Sequence, residues 1–381
     1  MKFQVDQDAF ADAVAWAART LPTRPSIPVL GGILLTADDD GLVISSFDYE
    51  VSASATTAAT IARGGRGLVS GRLLAEITRS LPSQPVDVEL DGTRVVLRCG
   101  STRFTLPTLP IEEYPTLPAL PPRAGTVAAD SFATAANQVA IAAGRDDTLP
   151  ILTGVRIELD GEIVTLAATD RYRLAVRELR WQPARPDITA AALVPARTLS
   201  EVARSLTGGA QVEIFLSFDQ PGGETLIGFA GRGTSGERQT TTRLIDGEYV
   251  KYRSLFPSET AARAHVATTP FIEAVKRVSL VAPRNVPVRL TFHRDQLLLE
   301  AGSGEEAQAS EWLDATFDGE EELTIAFNPS YLLDGLGAVD SEIVHLDFTS
   351  PNKPAILRGG KDADQPMDDY RYLLMPVRLG G

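Results

Sequence analysis

The feature that most constrains this chain is self-similarity on a long period. Ser26-Ile27-Pro28-Val29-Leu30-Gly31-Gly32-Ile33 returns as Thr148-Leu149-Pro150-Ile151-Leu152-Thr153-Gly154-Val155, with the prolines 122 residues apart. A weaker third copy, Asn285-Val286-Pro287-Val288-Arg289-Leu290-Thr291-Phe292, follows 137 residues later. Asp48 and Asp170 each stand twenty residues after the landmark proline of their repeat. A second element, Val69-Ser70-Gly71-Arg72-Leu73-Leu74, recurs as Val194-Pro195-Ala196-Arg197-Thr198-Leu199 and as Phe327-Asn328-Pro329-Ser330-Tyr331-Leu332. Solenoid units of roughly 20–50 residues cannot bury a core alone, whereas units of this length can. The 381 residues therefore divide into three similar domains, 1–120, 125–248 and 252–381.

Each repeat opens with the same kind of helix. Asp8 is the expected cap of a helix carrying Phe10, Val14 and Ala17 at i, i+4, i+7 spacing. Asp130 or Ser131 caps its counterpart with Phe132, Ala136 and Val139, and Thr269 the third, with Pro270 in the first helical position before Phe271. Shorter helices are expected over about Arg72–Leu81, Thr198–Leu206 and Ser330–Leu336. Alternating runs such as Val86–Leu90 and Arg94–Arg98 flank Asp91-Gly92, and Asp160-Gly161 divides a second such pair. Asp-Gly tolerates the positive φ of a tight hairpin turn. Each unit thus reads as α+β, two helices packed on antiparallel sheet. Proline-rich 115–122 and the segment around 247–259 are the linkers.

The formal charge is −14, so the placement of positive charge is informative. Arg72 and Arg79 sit seven apart on one expected helix, and Arg197 and Arg204 repeat the spacing. Seven residues is nearly two turns, which puts each pair on one helix face about 10.5 Å apart. Arg24, Arg145 and Arg284 each precede a landmark proline, and Lys276 and Arg277 lie on the third opening helix, whose partner helix has Ser330 in place of an arginine. Isolated surface arginines usually only complete ion pairs, but recurrence across repeats points to a shared anionic ligand. Such domains form a crescent with a basic inner face, and its open sheet edges seek partners. Head-to-tail pairing of two copies would close a six-domain ring able to hold duplex DNA by topology, independent of sequence, with weak phosphate contacts that permit sliding.

The chain resembles the bacterial β sliding clamps over essentially its whole length. The resemblance rests on Met375-Pro376-Val377-Arg378-Leu379, Thr169-Asp170-Arg171-Tyr172-Arg173-Leu174, Arg24-Pro25-Ser26-Ile27-Pro28-Val29-Leu30, and Phe104-Thr105-Leu106 before Thr108-Leu109-Pro110. It implies a homodimeric ring around double-stranded DNA and a pocket where polymerases, including the DNA polymerase III α subunit, and the clamp loader insert a hydrophobic peptide. Carried over by position, the pocket comprises Leu152, Thr169, Arg171, Tyr172, Leu174, Val250, Leu255, Leu373, Met375, Pro376, Val377 and Arg378. Val250 replaces a common proline and Ser254 a frequent arginine, which alters the rim. The same carry-over places Phe104 and Leu106 against Leu280 and Val281 of a second copy.

No catalytic pattern competes with this reading. His265, His293 and His345 lack zinc-ligand spacing, and Gly231-Arg232-Gly233-Thr234-Ser235-Gly236 matches neither a phosphate loop nor a dinucleotide fingerprint. There is no Gly-x-Ser-x-Gly elbow, and Asp318-Gly319-Glu320-Glu321-Glu322 reads as a solvated turn. A non-enzymatic protein without cofactor or metal is expected. The single Cys99 is expected to be structural and suits a cytoplasmic location, and no apolar run reaches the ~20 residues that cross a bilayer. The competing view is a scaffold that presents peptide grooves without binding DNA.

Overall fold

The computed structural model describes residues 1–217, 226–282, 286–302, 307–362 and 365–378. Six α-helices occur among them, two per repeat: α1 (Gln7–Ala18) and α2 (Gly71–Ser80), α3 (Ala129–Ala140) and α4 (Ala196–Ser205), α5 (Thr268–Val278) and α6 (Pro329–Ala338). Phe10, Phe132 and Phe271, equivalent by the repeat, are all buried. The 3.6-residue period thus sets the core face of each opening helix.

The helix starts differ from expectation in an instructive way. Asp6, not Asp8, caps α1 by accepting a bond from the Ala9 N–H at 3.0 Å, and Asp8 sits in the first turn. Neither Thr269 nor its hydroxyl caps α5; the N-cap is Ala267, with no side-chain bond, and Pro270 is the third helical residue. Strand Ala262–Ala267 runs straight into this helix, and the buried N–H of Thr268 donates to the Glu342 carbonyl at 2.8 Å. The Ala129 N–H donates likewise to the Ala210 carbonyl at 3.0 Å, one residue before Asp130. Backbone acceptors from neighbouring loops therefore do work that sequence reading assigned to polar side chains. Asn328 does cap α6, accepting from the Ser330 and Tyr331 N–H groups, with Pro329 in the first turn.

By its internal contacts the chain forms two compact units, and the division runs through the middle repeat. Unit 1 contains 1–134, 159–162 and 180–244; unit 2 contains 135–158, 163–179 and 245–381. The cause is sheet continuity. In unit 1 a nine-stranded sheet pairs Glu237–Thr242 of the second repeat antiparallel with Val51–Thr56 of the first. In unit 2, Tyr370–Leu374 of the third repeat pairs with Arg173–Arg177 of the second in the equivalent position.

Unit 1 also holds a five-stranded sheet in the order Ala59–Arg63, Lys2–Val5, Val86–Asp91, Arg94–Cys99, Thr102–Pro107. Thr102–Pro107 is thus an edge strand. The turns at Asp91-Gly92 and Asp160-Gly161 place glycine at φ +59° and +53°, the conformation for which glycine carries no Cβ penalty. Cys99 is buried, its thiol near the Pro82 and Gln84 carbonyls at 3.3 and 3.4 Å. Residues 318–322 form an exposed turn between strands Ala309–Asp318 and Leu323–Phe327.

Candidate functional site

A groove of about 570 Å³ opens in unit 2 where three pieces of chain meet. They are the loop after α3 (Ala143–Asp146, with Leu149 and Leu152), the turn Asp170–Arg173, and Ser330, Tyr331 and Asp334 on α6. The turn is built by Asp170, whose carboxylate accepts from the Tyr172 and Arg173 N–H groups at 3.0 and 3.1 Å. Thr169 reinforces it: its hydroxyl donates to the Arg173 carbonyl at 2.6 Å and accepts from the Arg171 N–H at 3.2 Å. The outcome is Arg171 at φ +79°, a left-handed conformation costing a non-glycine residue roughly 1–2 kcal/mol.

That strain lifts Arg171 and Tyr172 to the rim. Tyr172 is 53% exposed, and its ring stacks on Tyr331 with centroids 6.1 Å apart. Beneath them Arg173 is only 5% exposed and ion-paired with both Asp170 and Asp334. Its guanidinium lies 4.4 Å from the Tyr331 ring centroid and 3.5 Å from the Tyr372 hydroxyl, which donates to the Tyr331 carbonyl at 2.8 Å. Burial opposes the charge on Arg173, but the oxygens of Tyr372, Asp334 and Asp170 outweigh it and raise its pKa. Burial likewise pushes the Tyr372 phenol up, so it stays a neutral donor. α6 approaches this strand so closely that a Cβ on Gly335 would lie 2.4 Å from the Tyr372 ring.

Of the expected pocket residues, Leu152, Arg171 and Tyr172 line this groove, joined by Arg145, which was assigned to DNA. Leu174 and Leu373 are cross-strand partners and buried, as is Thr169; their side chains support the site from below. Met375 continues the strand pairing, its N–H donating to the Tyr172 carbonyl at 2.9 Å, and the Val377 N–H donates to the Ala326 carbonyl at 2.8 Å. Met375 and Val377 are exposed, Pro376 is partly buried and Arg378 is exposed. Val250 and Leu255 are exposed on a segment tied down by Tyr252 and Arg253, both bound to Glu158 at 2.9 and 2.6 Å. Leu149, Arg173, Tyr331 and Asp334 were not singled out from sequence.

The cations fare unevenly. Arg24, Arg79, Arg145 and Arg204 are exposed and make no salt bridge among the described residues. Arg72 is exposed and donates to the Pro22 carbonyl at 3.0 Å. Arg197 pairs with Glu201 at 3.3 Å and Lys276 with Glu273 at 3.2 Å. Arg277 is held by both oxygens of Glu311, a bidentate pair that leaves it least free of the group. Arg284 lies outside the described residues.

For the expected dimer contacts, Leu280 is 84% exposed and Val281 partly so. Phe104 is half-buried. Leu106, 2% exposed, is buried within its own unit, and alternation on Thr102–Pro107 turns Arg103 and Thr105 outward. What that strand offers a second copy is its backbone edge. In unit 2, residues 309–314 pair with 296–301 on one side only among the described residues, leaving another such edge.

Models of the DNA polymerase III beta subunit match the chain end to end: the N-terminal domain at residues 1–118, the central domain at 126–251 and the C-terminal domain at 253–378. The beta sliding clamp of Streptomyces coelicolor is 57% identical over 382 residues, covering all of both chains. The beta sliding clamp homolog GriR of Streptomyces muensis is 44% identical, again over both full lengths. Among solved structures, the DNA polymerase sliding clamp of Bacillus subtilis matches with a TM-score of 0.90 at 28% identity, covering 100% of each chain. A sliding clamp from Pseudomonas aeruginosa bound to griselimycin matches with a TM-score of 0.87 at 26% identity, also over 100% of each.

Proposed function

The chain belongs to the DNA polymerase III beta subunit family, the sliding clamps, and on that premise we propose that it is a processivity factor that encircles duplex DNA and tethers polymerases to it. The observation that carries this reading is the end-to-end match in sequence and fold to sliding clamps. A ring needs no sequence readout and no strong phosphate grip. Weak contacts from Arg24, Arg72, Arg79, Arg145, Arg197, Arg204, Lys276 and Arg284 would centre a duplex while letting it slide. Arg277, engaged by Glu311, contributes least.

The functional domains are 1–120, 125–248 and 252–381, and two copies close head to tail. The free edge of Thr102–Pro107 would pair with the partner's edge at 309–314, with Phe104 at the margin of the contact and the partner's Leu280 and Val281 covering it. The groove around Tyr172 and Tyr331 would take an apolar peptide of the polymerase III α subunit, other polymerases or the clamp loader. Exposed Leu255, Val250, Met375 and Val377 extend its apolar surface, and Met375 adapts to varied anchors. The chain would do this in the cytoplasm and catalyse no reaction itself. No helix among the described residues is long and apolar enough to cross a membrane.

Charge reversal tests the DNA half. Arg24→Glu with Arg145→Glu should abolish retention on circular DNA and leave the dimer intact; unchanged retention would favour a scaffold that only presents peptides. Deleting 375–381 should abolish polymerase-peptide binding without dissociating the dimer, and undiminished affinity after that deletion would refute the groove assignment.

A further inference from the structure

The first repeat carries a smaller counterpart of the main groove, and we propose that it is a second peptide site, taking a short acidic segment with one apolar anchor. It lies wholly in unit 1 and encloses about 180 Å³. Three of its walls repeat those of the main groove, while Trp16, Arg19, Thr20, Val202 and Thr240 have no counterpart there. Leu21, Pro22 and Thr23 stand where Ala143, Gly144 and Arg145 stand, each 122 residues earlier. Asp48 and Val51 replace Asp170 and Arg173 at the same offset, and Arg197, Thr198 and Glu201 on α4 replace Ser330, Tyr331 and Asp334 on α6.

The turns match as well. Asp48 accepts from the Glu50 and Val51 N–H groups at 3.0 and 2.8 Å, as Asp170 does from its successors. The residue after it, Tyr49, is held at φ +76°; Tyr49 and Arg171 are the two positive-φ non-glycine residues among those described. Strain kept at both copies of a turn is costly unless the turn presents something. Here it presents an aromatic ring, 44% exposed. Ile27, the repeat counterpart of groove-lining Leu149, is also exposed.

The contents of the two grooves differ in a way that fixes the ligand chemistry. The buried Arg173 of the main groove is Val51 here; the buried cation nearest this groove, Arg238, lies behind Trp16 with its guanidinium 5.5 Å from that ring and is neutralised by Asp12. The rim is cationic. Arg19 and Arg197 line it, Arg72 binds the Pro22 carbonyl, and Arg24 adjoins Thr23 without a salt bridge among the described residues. Against these four stand Glu201, which pairs with Arg197, Glu50, which takes the place of Tyr172 and pairs with Arg243 at 4.0 Å, and Asp48, whose carboxylate is engaged by its own turn. An apolar floor under a surplus of guanidinium groups suits an aliphatic anchor flanked by carboxylates. A phosphate backbone could meet the same cations, as proposed above for Arg24, Arg72 and Arg197, but would leave the apolar lining of Trp16, Leu21, Val51 and Val202 unfilled, and it is this lining that points to a peptide.

The test is calorimetric titration of the full-length dimer with an acetylated hexapeptide carrying a leucine, a phenylalanine and two aspartates. Two binding events per protomer are expected, the second about tenfold weaker because the smaller groove desolvates less of the peptide. In protein lacking 375–381 the weaker event should survive alone. In that background Thr23→Trp and Thr198→Trp, one rim substitution from each wall, should each remove it, with melting curves confirming the fold. A single event on the intact protein overturns the proposal, as does a second event that neither tryptophan alters. If both tryptophans spare the peptide and instead reduce retention on circular DNA, the surface belongs to the duplex and the proposal falls. Survival of the tighter event after truncation would sink the main-groove reading instead, and the tryptophan variants would still decide this one.

Discussion

Replacing Arg173 by Met isolates the contribution of the buried ion network to both stability and binding. The substitution keeps much of the side chain's length and apolar contact but removes two ion pairs, the cation–π contact with Tyr331 and the hydrogen bond with Tyr372. Breaking a buried pair typically costs about 3–5 kcal/mol, most of it from the charge left behind. Here neither carboxylate is stranded: Asp170 keeps its two backbone N–H donors, and Asp334 is 43% exposed and returns to water. The expected loss is therefore lower, about 2–3 kcal/mol. At about 2–4 °C per kcal/mol for a domain of this size, the unit 2 transition in calorimetry should fall by roughly 4–12 °C. Peptide affinity should fall by about tenfold, since Tyr331 and Tyr172 lose the cation that orders their stack. Asp334→Asn should reproduce the binding loss with only about 1 kcal/mol of destabilisation, its site being half open to solvent. Were Arg173→Met to melt with the parent and bind peptide unchanged, the network would be incidental to the groove.

Other substitutions probe separate claims. Arg171→Gly exchanges a strained left-handed residue for one at ease there and should change stability by less than about 1 kcal/mol, whereas Arg171→Val, β-branched in that conformation, should cost about 2 kcal/mol; denaturant midpoints distinguish the two. Leu280→Asp should leave the melting of each unit untouched, because the side chain is 84% exposed, yet shift light-scattering mass toward monomer; a dimer of parental affinity would refute its place in the contact. Burial holds the His345 pKa below its usual 6.5, against the opposing bond to the Asp362 carbonyl, with the His265 ring edge-on to it at 4.5 Å and Arg358 and Asp347 nearby. The unfolded chain then takes up its proton first, so stability falls as pH drops below about 6.5 and levels off below the folded pKa. His345→Gln should flatten that part of the stability profile.

What sequence made legible were the local, repeated signals. Phe10, Phe132 and Phe271 marked the helices, the Asp-Gly pairs marked the hairpins, and Asp48 and Asp170 marked equivalent strand ends, because each depends on interactions within a few residues. The failures have other causes. Asp8 was assigned as a cap where Asp6, two residues earlier, does the work, and Thr269 was assigned where strand-to-helix continuity places the Glu342 carbonyl instead. Leu106 was placed at an interface through resemblance, and within one copy the pleat of its strand buries it.

The groove was the least legible part, and the reason is informative. Tyr331 and Asp334 belong to a helix that was found correctly, yet only the pairing of Tyr370–Leu374 with Arg173–Arg177 brings that helix over the Asp170 turn. Arg173 then gains its role from two carboxylates, one three residues away and one 161 residues away, and no spacing rule links the second. A repeat makes such a site twice, since the same strand pairing joins the first repeat to the second through Val51–Thr56 and Glu237–Thr242. Once Val51 and Arg173 occupy the same position, one copy has an apolar floor and the other a charged one. Their ligands must then diverge even though their backbones do not. The difference between the two grooves is therefore carried by side chains on a shared turn, and exchanging Val51 and Arg173 between repeats should move peptide preference with them.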